Sequence, residues 1–277
     1  MTPNNRRKNS RVSRGDVLHS VTSIDDKCTG KVLLKLKEWF VAGLIRVQTS
    51  EDDMTRGSAQ PKREGEKMPR IVNPPLKAQL QINYNHDYGF NRGVSRETLE
   101  EFGAGYCVSA GIYAGRFIIP LHNETGELVG YVGRAVDASE PKYLFPSNED
   151  GFNKSNLLFN LHRVLNSKWH KRDEVRGRIM TPIILVEGFF GAMKLHTLNY
   201  SCLSLMGSSL SEQQETLLHT HFNHAVCLFN GDEGGRNCTN ECLLRLGRHM
   251  WVTTMDVGSG RRPDQFAEED LRELLYS

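Results

Sequence analysis

The chain has 277 residues, 38% of them hydrophobic, with 35 basic against 33 acidic side chains and a formal charge of +2. That length and apolar content allow one or two domains with cores of their own. No stretch reaches the ~20 apolar residues of a membrane span, and the charged start "MTPNNRRKNSR" leads into no apolar segment, so the expectation is a cytoplasmic protein with no signal peptide and no membrane partner.

The charge is uneven. Arg6, Arg7, Lys8, Arg11 and Arg14 precede the first acid, Asp16; such an arm suits nucleic acid, and equally a solvated tail. The stretch "VLLKLKEWFVAGLI" puts Leu33, Leu36, Trp39, Phe40 and Leu44 on one helical face. Residues 1–50 therefore read as a basic arm with a helical piece. Residues 51–75 are charged, poor in aromatics and closed by Pro74 and Pro75, which reads as a linker.

Residues 76–168 have a mixed pattern. "SRETLEEFG" predicts a short helix capped by Ser95, and "RFIIPLHNETGELVGYVGR" predicts strands over 116–121 and 128–133 joined by a turn over 123–126. Over 180–277 strand-length apolar runs alternate with helical ones: "IILV", a helix from Phe189, "CLSLM", a helix from Ser211 with a capping box to Gln214, "AVCLF", a helix from Arg236, then "MWVTTMDV". This βαβ series predicts a Rossmann-like parallel sheet, and the fold class is α/β with a mixed α+β subdomain ahead of it. Cys202 and Cys227 fall in apolar runs, and Cys238 and Cys242 are one helical turn apart without a partner pair, so all four are expected in the core and no zinc is assigned.

In a parallel sheet the ligand site gathers at the carboxyl ends of the strands. Three acids stand there: Glu187 after "IILV", Asp232 after "AVCLFN" and Asp264 in "GRRPDQF". Converging carboxylates repel unless a cation joins them, and Mg²⁺ favours a few carboxylate oxygens completed by water and phosphates. Gly188, Gly231, Gly234 and Gly235 would let backbone approach such phosphates. Asp and Gly are also ordinary turn residues after strands, and only their repetition in order favours a site.

"ILVEGFFGAMKLHTLNYSCLSLMGSSLSEQQ", "LFNGDEGGR" and "GRRPDQF", in this order, resemble the Toprim domain of DnaG-type primases, topoisomerases and certain nucleases. Ahead of them "RGVSRETLEEFGAGYC", "GRFIIPLHNETGELVGYVGRAV", "PKYLFP" and "GFNKSNLLFNLHR" resemble the N-terminal part of a primase catalytic core, so the likeness covers about residues 84–277. Residues 15–40 are similar to the helical tail behind a primase zinc ribbon. The resemblance implies short RNA primer synthesis on single-stranded DNA from nucleoside triphosphates, with Mg²⁺ or Mn²⁺. It implies Glu187 and Asp232 as catalytic acids, and Glu187, Asp232, Asn230 and Asp264 around metal. It places Arg116, Arg134, Lys142, Tyr143, Lys154, Arg236 and Arg262 along template or nucleotide.

The pattern also departs from the family. Asn230 occupies the first acid position of its Asp-x-Asp turn, Gly191 stands where an Asp often follows Glu-Gly, and Arg262 replaces an Asp before Pro-Asp. No Cys or His cluster precedes residue 17, so no zinc ribbon is matched, and no helicase-binding segment is recognised after "EEDLRELLYS". The expectation is a shortened, impaired primase-like enzyme of a mobile element, with no helicase partner identified. A Toprim protein that binds nucleic acid or nucleotide without turnover is the alternative, and a Toprim nuclease is third.

Overall fold

The computed structural model describes residues 73–277, apart from 78, 149–150, 169 and 277. The basic arm, the 33–44 face, Cys28 and the linker up to residue 72 lie outside the described residues. No helix among those described is long and apolar enough to cross a membrane.

The first half is an antiparallel meander of β1 (Ile82–Asn83), β2 (Gly105–Cys107), β3 (Arg116–His122), β4 (Leu128–Ala135) and β5 (Tyr143–Leu144), hydrogen-bonded in that order. The β3–β4 hairpin forms where its turn residues predict. Asn123 Oδ1 accepts from Thr125 Oγ1 at 2.8 Å and from Glu127 N at 2.9 Å, and Gly126 takes φ 90°, which only glycine adopts without strain. Between β1 and β2 lie α1 (Asp87–Phe90) and α2 (Arg96–Phe102). Ser95 caps α2 by accepting from Thr98 N, and Gly103 ends it in the left-handed region, so the predicted helix has both its start and stop signals.

The second half is a parallel sheet of β6 (Ile183–Val186), β7 (Cys202–Ser204), β8 (His224–Cys227) and β9 (Trp251–Thr254), in the order β7-β6-β8-β9. Ahead of it runs α3 (Leu161–Asn166); α4 (Phe189–Thr197), α5 (Glu212–His221) and α6 (Glu233–Leu246) connect its strands, and α7 (Glu268–Tyr276) follows β9. β6 is central and buried along its whole length, which explains its unbroken apolar run. The capping box at Ser211 and Gln214 forms as predicted.

One boundary is corrected. The helix read as starting at Arg236 begins three residues earlier at Glu233, because Asp232 Oδ1 accepts from Gly235 N at 2.9 Å and caps it. Gly234 and Gly235 make this first turn look like a loop, yet a Cβ on Gly235 would stand 1.9 Å from the Asn230 carbonyl oxygen. Glycine is needed there for close packing inside a helix, at a cost in intrinsic helix propensity.

The two sheets share a core. Phe117 of β3 packs on Phe190 of α4 with ring centroids 5.6 Å apart, and Tyr143 of β5 meets Phe189 at 5.7 Å. Leu99, Phe117, Val132, Ile184, Phe190 and Met193 belong to one buried cluster that spans both halves. A second cluster fills the far side of the parallel sheet and takes in Cys227, Cys238 and Cys242. These thiols, with Cys202, are free and buried, and burial pushes the Cys202 thiol up to about 12.

Candidate functional site at the seam of the two sheets

Glu187 follows β6 directly, and its position is fixed from three sides. Its Oε1 accepts from Asn230 N at 2.8 Å, while its own carbonyl accepts from Ser204 Oγ at 2.8 Å and from Gly207 N at 3.1 Å. Burial raises the Glu187 carboxyl above the ordinary range, the Asn230 N–H opposes this, and the nearby Asp232 charge raises it again. Asn230 thus fixes the acid through its backbone, an action that the missing carboxylate does not affect. Asp232 stands exposed at the start of α6, with Oδ1 on the Gly235 amide.

Glu187 and Asn230 open into a cleft of ≈ 280 Å³ whose other walls carry Arg92, Arg134, Lys142 and Asp264. Arg134 and Tyr143 are partners across β4 and β5. The Arg134 guanidinium lies over the Tyr143 ring at 4.6 Å, and its Nε donates to the Tyr88 hydroxyl at 2.9 Å. Tyr143 therefore serves as a platform that orients Arg134, with its ring already covered on one face; burial pushes its phenol up, so it stays neutral. Lys154 donates from Nζ to the Met206 carbonyl at 3.1 Å and sits 5.1 Å from the Phe145 ring centroid. Met206 itself has φ 58°, uncommon for a residue with a side chain, in the loop that also supplies Gly207.

Of the predicted basic residues, Lys154 reaches this cleft only through Met206, and Arg116 and Arg236 stand apart from it. Arg116 donates to the Pro141 carbonyl at 2.7 Å and so braces the segment leading to Lys142. Arg236 is exposed on a neighbouring groove of ≈ 360 Å³ that shares Asn230 and includes Thr254 and Asp256.

Arg92 and Lys194 carry charge at the site and were not singled out from the sequence. Arg92 Nη2 is 2.5 Å from Asp264 Oδ2, and the guanidinium lies 4.9 Å from the Phe190 ring centroid. Lys194 donates to the Asp264 carbonyl at 3.1 Å and to the Phe266 carbonyl, and burial lowers its ammonium pKa. Nothing in local spacing links residue 92 to residue 264. The only sequence signal was the position of Arg92 at the head of the primase-like stretch "RGVSRETLEEFG".

For a hard divalent cation the donors that fit are the Glu187 and Asp232 carboxylates and the Asn230 amide oxygen, all oxygen ligands. The Asp232 charge that raises the Glu187 carboxyl is the kind of repulsion such an ion relieves. Among the described residues no three His, Cys, Asp or Glu side chains converge as a ligand group. Asp264 does not fit, because its carboxylate is engaged by Arg92, with Arg262 Nε 3.9 Å away on its other oxygen.

Comparison with known proteins agrees with this architecture. Residues 108–165 match the family described as DNA primase catalytic core, N-terminal domain, and residues 184–266 match the Toprim-like family. Among solved structures, the Aquifex aeolicus primase zinc-binding and RNA polymerase domains superpose with TM-score 0.58 at 21% identity, covering 69% of this chain and 53% of that one. A DnaG primase catalytic domain bound to ssDNA gives TM-score 0.57 at 19% identity, covering 70% of each. The fold is that of a DnaG-type primase catalytic core. A DNA primase of Staphylococcus aureus (strain MRSA252) is 31% identical over 160 residues, which is 56% of this chain and 24% of that protein. One from Staphylococcus epidermidis (strain ATCC 12228 / FDA PCI 1200) is 31% identical over 158 residues, 56% of this chain and 25% of the relative. The chain thus spans about a quarter of the length of these relatives.

Proposed function

We propose that this primase-type core is a nucleotidyltransferase that joins ribonucleotides on single-stranded DNA, with Glu187 and Asp232 holding a divalent ion. The observation that carries this reading is the placement of Glu187: a desolvated acid, pinned by the Asn230 amide, beside Asp232 and facing a cleft walled by Arg134 and Lys142. In the reaction a 3′-hydroxyl attacks the α-phosphorus of the incoming triphosphate, the new phosphodiester forms and pyrophosphate leaves. A Mg²⁺ or Mn²⁺ ion at the acid pair would supply Lewis-acid neutralisation of the attacked phosphate and acidify the hydroxyl.

The chain's own residues do the rest. Arg134, held flat on Tyr143 and tied to Tyr88, presents a fixed guanidinium edge to phosphate oxygens. Lys142 adds charge at the mouth, and Lys154 sets the Met206–Gly207 loop beneath Glu187. The likeness to a catalytic domain described as bound to ssDNA supports single-stranded template as the nucleic-acid ligand.

One observation favours a second reading, binding without turnover: Asn230 brings no charge and Asp264 already has an arginine partner, which leaves fewer free carboxylates for metal. The match of residues 108–165 to the primase N-terminal domain favours either of these over a nuclease. Labelled ribonucleotide incorporation on single-stranded DNA, in Mg²⁺ and then Mn²⁺, separates the two. Incorporation that disappears in Glu187→Ala supports the enzyme. DNA binding with no incorporation in either metal supports the binding module.

A further inference from the structure

The wall of the cleft also carries a carboxylate that already has a cation. Asp264 lies in the short turn Pro263–Gln265 after β9, with its side chain only 9% exposed. Arg92 Nη2 meets its Oδ2 at 2.5 Å. Arg92 reaches it from the turn between α1 and α2, in the other half of the fold, and its guanidinium rests on the buried Phe190 ring. Lys194 of α4 donates to the carbonyls of Asp264 and Phe266, which fixes the turn from beneath. Arg262 stands at the solvent edge of the same carboxylate. Gly191, which also lines the cleft, offers no side chain that could share an ion with Asp264.

A divalent ion on Asp264 would have to sit within a few ångströms of a guanidinium that packing holds in place, with a lysine and a second arginine close by. Like charges at such separation repel strongly where water is partly excluded. An arginine paired to a carboxylate and stacked on an aromatic ring is also not easily displaced, since each contact orients the other.

We propose that Arg92 is the built-in cation of this cleft, occupying on Asp264 the place that a second divalent ion would take, so that the cleft binds one divalent ion only, at Glu187 and Asp232. The proposal rests on the functional reading above only for the location of that one ion. Its consequence is a site in which part of the positive charge facing the substrate is permanent, and in which metal dependence follows a single binding event.

The test is a titration of the full chain with Mn²⁺, counting bound ion from the loss of the free-ion paramagnetic resonance signal. Wild type is expected to bind one equivalent, and Glu187→Gln to weaken it by at least about tenfold. Arg92→Met, which keeps apolar contact with Phe190, is expected to gain a second equivalent that the Arg92→Met/Asp264→Asn double variant lacks. Arg92→Lys, the variant least able to disturb folding, is expected to stay at one. Two equivalents in wild type, falling to one in Asp264→Asn, would overturn the proposal, and so would an Arg92→Met variant that folds and gains none. These outcomes are ion counts, whereas the enzymatic reading fails on absent incorporation, so the two failures are distinguishable.

Discussion

Arg134 and Tyr143 show how the side chains at the seam divide their work. The Tyr143 ring lies under the Arg134 guanidinium at the cleft wall, so the pair is proposed to act as one unit that offers phosphate the edge of Arg134. Arg134→Lys keeps the charge but loses the planar contact and the bond to Tyr88. It should weaken single-stranded DNA binding by about fivefold, the equivalent of ~1 kcal/mol for a cation on an aromatic face, with an unchanged salt slope. Arg134→Ala should lower that slope by about 0.7 as well. Anisotropy titrations over a range of salt concentrations measure both. The glycines divide as sharply. A Cβ at Gly191 in α4 meets nothing closer than 3.7 Å, so Gly191→Ala should stabilise the fold by about 0.5–1 kcal/mol. At Gly235 the clash with the Asn230 carbonyl should destabilise it by about 3 kcal/mol, and should shift the Asn230 amide away from Glu187. Thermal melts that fail to separate these two variants would contradict this packing. The Asn230 substitution was legible in the sequence, but its backbone bond to Glu187 was not, because main-chain donors leave no trace in residue type.

The elements that carried their own local chemistry were the ones legible from sequence. The Ser95 and Ser211 caps, the Asn123 turn and the continuous apolar run of β6 each follow from contacts within a few residues. The start of α6 was misplaced because its cap and its two glycines answer to a contact with the preceding loop. Ser211 also donates to the Ser155 carbonyl at 2.6 Å, which ties α5 to the turn Lys154–Asn156. Ser211→Ala should therefore cost about 1–2 kcal/mol, at the upper end for a lost cap. His122 on β3 and His162 on α3 pack ring to ring at 4.6 Å. Burial, with the Arg163 charge second, lowers His122 to about 4 and His162 to about 3. Both folded values lie below the unfolded value of ~6.5, so the unfolded chain binds more protons in between. The pair's contribution is fully present above pH ~6.5 and is lost as pH falls from there towards 4 and then 3. Denaturant melts across that window should show a shallower acid loss of stability in His162→Gln than in wild type, and equal slopes would count against a neutral half-buried pair.

At the scale of the whole molecule, the cleft exists because two sheets of different type share one core. Phe190 is the clearest joint: it is 2% exposed, packs on Phe117 and Tyr88, and carries the Arg92 guanidinium. Phe190→Ala should cost about 3–5 kcal/mol and loosen Arg92 from Asp264 in the same step. The order of the elements and the acids Glu187 and Asp232 that follow β6 and β8 could be read along the chain, whereas Asp264 lies in a turn well beyond β9. The joint, and the arginine paired to the third acid, could not, since both depend on residues far apart in sequence meeting across the seam. Glu187 and Asp232 are proposed to form a working catalytic pair despite Asn230. Template-directed dinucleotide synthesis in Mn²⁺, compared among wild type, Glu187→Gln and Asp232→Asn at matched single-stranded DNA occupancy, tests it most directly. Product is expected from wild type, with a loss of at least about a hundredfold in each variant. Product formation unchanged in Glu187→Gln, or no product from DNA-bound wild type, would contradict it.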